Sequence, residues 1–284
     1  MKTIAFASLK GGVGRTTLTA NIGAALAQES PDEVLLIDFD PRNQLGLHLG
    51  LPTGERVGLG HAILQGVGWD QVVRRRMNGS LAWIPFGELS EAEHREVEER
   101  LSREPDLIEA RLHDRPLQAY RYVVFDTPPG PCLPWQRILQ PADLIIGVLL
   151  ADPASFATLP SLSAQLRGRG VPRPGFAGAH VLLNSVDSYA LSRDVCALVA
   201  AQHLLPPLPF MVHQDEAVRE SLAAQRPVLE QAGSSQAAVD VRQLAAWIRQ
   251  ALVEEKQDRD QTVPERMEPQ HRAEPMMPAV ISGT

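Results

Sequence analysis

Residues 9–17 read Leu9-Lys10-Gly11-Gly12-Val13-Gly14-Arg15-Thr16-Thr17, and the fold follows from this stretch. The apolar run Thr3-Ile4-Ala5-Phe6-Ala7-Ser8 precedes it. Behind it comes Thr16–Gln28, in which Leu18, Ile22, Ala25 and Leu26 share one face at helical spacing. A glycine-rich turn between a strand and a helix lets backbone N–H groups turn inward around an anion, and the helix N-terminus adds partial positive charge. Lys10, Gly11, Gly12, Val13, Gly14, Arg15, Thr16 and Thr17 are therefore the candidate phosphate cradle, with the Thr16 hydroxyl placed to ligate Mg²⁺. The stretch departs from the pattern G-x-x-x-x-G-K-[ST] twice: Leu9 stands for the leading glycine and Arg15 for the lysine. Arginine keeps its charge but presents a planar fork instead of a point charge, so phosphate binding survives the change more readily than fast hydrolysis.

Outward from the loop, short apolar runs alternate with helical stretches: residues 34–38 (VLLID), 81–86 (LAWIPF), 121–126 (RYVVFD), 143–151 (DLIIGVLLA) and 179–184 (AHVLLN). Consecutive apolar residues are the pattern of parallel strands covered on both faces. The fold class expected is α/β, a doubly wound, mostly parallel sheet flanked by helices, with its ligand at the carboxyl ends of the strands. Residues 91–117 read as a polar helix broken near Pro105, residues 168–178 as a Pro/Gly-rich connection, and residues 237–254 as the last helix. That last helix carries Val241, Leu244, Ala245, Ile248 and Leu252 on one face. One domain over residues 1–253 is expected. A tail follows over 254–284, with four prolines, mixed charges and no aromatic residue, and it cannot order itself.

The chain has 284 residues, 44% of them apolar, which is ample for a core. A net charge of -7 gives nucleic acid no general attraction. Cys132 and Cys196 cannot build a disulfide framework and fit a reducing cytosol. The N-terminal apolar run ends at Lys10, so no secretory leader is expected, and the longest apolar run, residues 144–151, is about half a bilayer crossing. A cytoplasmic protein is expected, reaching membrane only through a partner or a surface helix. Arg74-Arg75-Arg76 reads as a solvated helix end, and His213 has no second metal-like ligand at suitable spacing.

Lys10 to Thr17 resembles the deviant Walker A motif of the MinD/ParA group of P-loop ATPases. That resemblance implies ATP and Mg²⁺ as cofactors and a homodimer with ATP sandwiched at its interface, Lys10 reaching the partner's nucleotide. Asp38 and Asp40 resemble the group's switch I pair, the first near hydrated Mg²⁺ and the second orienting the attacking water. An in-line phosphoryl transfer needs little more from a protein than such positioning. Asp126-Thr127-Pro128-Pro129-Gly130 resembles the group's Walker B strand and switch II, with Asp126 holding the Mg²⁺ shell. Lys10 and Asp40 are thus the catalytic candidates, and Thr16, Asp38 and Asp126 the metal candidates. Asn184 resembles the adenine contact, with a second rim running from Leu208-Pro209-Phe210 to Asp215, where Pro209 is the base-contact candidate.

Residues 84–102 (IPFGELSEAEHREVEERLS) and 208–230 (LPFMVHQDEAVRESLAAQRPVLE) resemble the corresponding stretches of the BcsQ family of cellulose-biosynthesis ATPases. This implies a slow ATPase acting as regulator or scaffold at the inner-membrane cellulose synthase, together with small accessory subunits. Two other readings stand beside it. A DNA-partition ATPase needs a basic surface, for which Arg242, Arg249 and Lys256 are a thin supply beside Asp240, Glu254 and Glu255. An ATP-locked structural subunit would not turn over. Asp40 speaks for hydrolysis, and Arg15 speaks against fast hydrolysis.

Overall fold

A computed structural model describes residues 1–30, 33–50, 56–75, 81–167 and 175–262, with side chains described as far as residue 253. The expected strands form as β1 (Lys2–Ala7), β2 (Val34–Asp38), β4 (Ala82–Ile84), β5 (Tyr122–Asp126), β6 (Leu144–Leu150) and β7 (Gly178–Asn184), and a short strand β3 (Arg74–Arg75) joins them. They make one sheet in the order β3-β4-β2-β5-β1-β6-β7, parallel throughout except for β3 against β4.

Alternation along each strand explains why both faces are apolar. Ala5, Leu35, Ile37, Val123, Phe125 and Ile145 enter one core layer, and Ile4, Phe6, Leu36, Val124, Leu144 and Ile146 the other. Helix α1 (Arg15–Glu29) lies on the second layer through Leu18, Ile22, Ala25 and Leu26. It is covered there by a long terminal helix, Gln236–Thr262, through Val241, Leu244, Ala245, Ile248 and Leu252.

The polar stretch 91–117 divides where expected, into helices Glu91–Arg103 and Leu107–Leu112, because Pro105 cannot continue a helical hydrogen-bond ladder. Two expectations change. Arg74 and Arg75 form the antiparallel edge strand β3 rather than a helix end, with Arg75 reaching toward the Tyr120 ring, and Arg76 lies outside the described residues. The terminal helix runs on to Thr262, past the expected boundary at 253. The remainder of the expected tail, residues 263–284, and most of the connection 168–178 lie outside the described residues. No described helix is long and apolar enough to cross a membrane.

Candidate nucleotide site

β1 sits between β5 and β6, so the chain leaves its carboxyl end at the point where the strand order reverses. The loop of residues 9–14 occupies that point. Gly14 is the N-cap of α1 with φ 92°, left-handed backbone that a side chain would strain. A Cβ there would also meet Asn184 Nδ2 at 2.4 Å, so glycine is required for conformation and for space.

Parallel register brings the acidic candidates together. Asp38 ending β2 pairs with Asp126 ending β5, and Asp126 is also the register partner of Phe6 next to the loop. Phe39 turns into the core against Trp69 and Phe125, at centroid distances of 5.9 and 5.8 Å, which leaves Asp38 and Asp40 facing the site. Asp38 accepts from the Asp40 N–H (2.9 Å) and the Leu45 N–H (3.1 Å). Burial, with Asp126 beside it, pushes its carboxyl well above the ordinary range. Asp126 is fully buried and neither of its oxygens completes a hydrogen bond. Burial pushes its pKa up to about 7, opposed by the nearby Thr16 hydroxyl. A buried carboxylate so poorly supplied with donors is costly, and its chemistry suits a cation.

The basic residues have partners. Arg15 is 3% exposed; its Nε donates to the Thr127 carbonyl at 3.0 Å and its Nη1 to the Lys10 carbonyl at 2.8 Å. Burial lowers the guanidinium pKa, with Asp126 and Asp40 acting the other way. Arg15 therefore braces the loop against the segment after Asp126, instead of extending into the cradle as expected. Lys10 Nζ pairs with Asp152 Oδ2 at 3.0 Å and approaches Ser155 Oγ at 3.4 Å. Asp152 caps the turn Pro153–Phe156 by accepting from the Ser155 N–H at 2.6 Å. Asp40 is gripped by Arg42 through Nε (3.0 Å) and Nη2 (2.5 Å), so both its oxygens are engaged.

Beside the loop opens a cavity of about 280 Å³ lined by Gly12, Gly14, Thr17, Asn184, His213 and Asp215, among others. Its far rim, residues 212–214, runs alongside the end of β7: Val212 N–H donates to Leu183 O, Val186 N–H to Val212 O and Gln214 N–H to Val186 O. Pro209 is exposed and outside the lining, which takes only the later part, residues 212–215, of the expected rim 208–215. Asn184 lines the cavity, and one hydrogen of its amide nitrogen goes to the Val13 carbonyl at 2.7 Å. Asp152 and His213 are the site residues that sequence reasoning missed. Asp152 could have been suspected as an N-cap ahead of Pro153; His213 carried no signal apart from its place beside Asp215.

Sheet order, loop and strand-end carboxylates together define a P-loop NTPase fold of the MinD/ParA kind. Solved structures of that kind superimpose on the chain. One is McdA from Cyanothece, as a variant in complex with ATP (TM-score 0.71, 22% identity, 89% of this chain and 96% of that one). Another is the septum site-determining protein MinD of Pyrococcus horikoshii with Mg-ADP (TM-score 0.70, 21% identity, 87% and 95%). Within that class the chain belongs to the cellulose biosynthesis protein BcsQ family, whose model matches residues 1–248. The Escherichia coli K12 protein of that name is 27% identical over 247 residues, covering 87% of this chain and 94% of the relative.

Proposed function

We propose that this chain is an ATP- and Mg²⁺-dependent switch in bacterial cellulose synthesis and secretion, slow in hydrolysis and working as a homodimer with ATP held between its subunits. The observation that carries the nucleotide reading is Asp126, a fully buried carboxylate whose nearest side-chain donor is the Thr16 hydroxyl at the loop that would cradle phosphate. Family membership supports the process.

The residues present fit the metal. Thr16 supplies a hydroxyl at the start of α1, and Asp38 and Asp126 supply two adjacent carboxyl groups. Among the described residues no cluster of three or more His, Cys, Asp or Glu forms a metal cage. That suits Mg²⁺, which keeps several waters and shares phosphate oxygens. When bound, the ion would neutralise charge on the β- and γ-phosphates.

The chain's own groups then divide the work. N–H groups of residues 11–17 take the phosphates, Lys10 leaves Asp152 for the partner subunit's nucleotide, and Asp40 orients water once Arg42 releases it. Arg42 is half exposed but Asp40 is buried, so freeing the carboxylate requires another group, such as the Mg²⁺-held water, to take the place of the guanidinium. Recruitment to an inner-membrane synthase would proceed through accessory subunits.

The DNA-partition reading draws less support. Arg249 is paired with Glu29, and Arg242 donates to the Gly233 carbonyl, so two of the few basic groups near the last helix are committed within the fold. Deleting the gene in a cellulose-secreting host and restoring wild type or Lys10→Ala tests the role. Cellulose output should be lost on deletion and restored by wild type alone. Unchanged output in the deletion strain would overturn the assignment.

A further inference from the structure

Arg42 is a half-exposed cation with unspent donors at the edge of the site. Its Nε lies 3.0 Å from Asp40 Oδ1 and 3.2 Å from Oδ2, and its Nη2 donates to Oδ2 at 2.5 Å. Its backbone N–H donates to Oδ1 at 3.1 Å. A guanidinium carries five N–H donors, and Nη1 with its two hydrogens meets no described residue. The Arg42 side chain is 49% exposed, against 5% for Asp40. The other two cations are committed. Arg15 is buried between the Thr127 and Lys10 carbonyls, and Lys10 lies on Asp152 and Ser155.

The backbone that carries Arg42 is fixed on both sides. The Asp40 N–H donates to Asp38 Oδ1, the Asn43 N–H closes a turn on the Asp40 carbonyl at 2.9 Å, and Asn43 Oδ1 accepts from the Phe86 N–H at 3.0 Å. Movement of the guanidinium is therefore a swing of the side chain. Its charge already bears on Arg15 and Asp126, the residues of the cradle.

A water that Asp40 orients must stand in line between its carboxylate and the terminal phosphate. The guanidinium that covers both Asp40 oxygens therefore borders the place of that phosphate. Loop N–H groups serve the inner phosphates, and Lys10 acts on the partner subunit's nucleotide, which leaves Arg42 to meet the third phosphate in its own subunit. We propose that Arg42 is a nucleotide-binding residue that exchanges Asp40 for the terminal phosphate of a nucleoside triphosphate. Carboxylate and phosphate are both oxyanions that a planar fork grips through two oxygens, so one side chain serves either. A triphosphate draws the fork off Asp40 and frees the carboxylate for water, whereas a diphosphate leaves the pair closed. No covalent bond changes in the exchange. The inference rests on the nucleotide reading above and deepens it, because it assigns recognition of the third phosphate to a residue outside the phosphate loop.

The test is calorimetric titration of the full chain with ADP and with a nonhydrolysable ATP analogue, each with Mg²⁺. Arg42→Gln keeps a neutral donor for Asp40. It should lower affinity for the analogue about tenfold, the low end for a hydrogen bond to a charged group, and leave ADP affinity unchanged. Unchanged ADP affinity also shows that the variant is folded. Arg42→Lys should recover part of the loss. Asp40→Asn removes the competing charge and should raise affinity for the analogue a few-fold, a gain that the double variant Asp40→Asn/Arg42→Gln should lose. A gain of equal size with and without Arg42 would be charge removal alone and would overturn the exchange. If Arg42→Gln weakens both nucleotides equally, or neither, Arg42 only braces Asp40, and the proposal falls while the nucleotide reading stands. If wild type binds neither nucleotide, both fall.

Discussion

Arg15 Nε donates to the Thr127 carbonyl at 3.0 Å, tying the residue at the loop's phosphate-facing position to the peptide that follows Asp126. Its Nη1 holds the Lys10 carbonyl as well, so one guanidinium bridges two backbone segments that a nucleotide would have to move or use. A lysine has a single nitrogen and cannot span both carbonyls as a planar fork does. The substitution that weakens the resemblance to an ordinary phosphate loop thus gives the ligand-free site a brace.

Arg15→Ala should cost the ligand-free protein about 2–3 kcal/mol, because two carbonyls lose a charged donor inside the fold. Arg15→Lys should recover less than half of that. Urea unfolding of the three proteins measures it, and equal midpoints for wild type and Arg15→Ala would show that the brace contributes nothing.

The Lys10–Asp152 pair leads to a different expectation. Its side chains are 33% and 34% exposed, so its attraction is screened and worth about 1 kcal/mol at most. Asp152→Asn keeps an acceptor for the Ser155 N–H while removing the charge that holds Lys10. Light scattering with a nonhydrolysable ATP analogue should find dimers at a few-fold lower protein concentration in Asp152→Asn, and none in Lys10→Ala. A dimer of unchanged stability in Lys10→Ala would reject action of the lysine across the interface.

Asp126 predicts a pH dependence. Its folded-state pKa of about 7 lies above the ordinary carboxyl value, so the fold favours the protonated form. The stability this gives is complete below pH ~4 and is lost as pH rises to about 7. Asp126→Asn removes the penalty, so the ligand-free variant should gain on wild type between pH 5 and 8, by on the order of 2–4 kcal/mol. The variant should also lose the added stability that Mg²⁺ with ATP gives wild type. Melting temperatures at pH 5 and 8, with and without Mg²⁺ and ATP, decide this. A variant that tracks wild type at both pH values would place the buried charge elsewhere.

The loop and the strand-end carboxylates were legible because their signals are local: glycines between a strand and a helix, and an Asp closing each of two apolar runs. Register then follows from parallel pairing, which brings Asp38 to Asp126 without any further instruction. The directions of the polar side chains were not legible. Arg15 turns toward a carbonyl 112 residues away, and Lys10 toward a carboxylate 142 residues away. Asn184 looked like a base contact with its whole amide free, but the close approach of Val13 takes one of its two donor hydrogens. Within the expected rim 208–215, Pro209 falls outside the cavity because the backbone pairing of residues 212–214 with the end of β7 brings the later residues to it, and no local motif marks that pairing. The edge strand at Arg74 was hidden for the same reason, since its two residues are strand only by virtue of Trp83 and Ala82 beside them.

The central claim is that ATP hydrolysis, directed by Asp40, ends the dimeric state. Arg42 holds both oxygens of Asp40, and the group must be freed to orient water. The direct measurement is phosphate release per dimer together with dimer lifetime, for wild type and Asp40→Ala, with Mg²⁺ and ATP. The account predicts slow release and a finite lifetime in wild type. In the variant it predicts ATP binding retained, release lost and the dimer accumulating. No release in either protein, with identical lifetimes, would contradict the switch and leave an ATP-locked scaffold in its place.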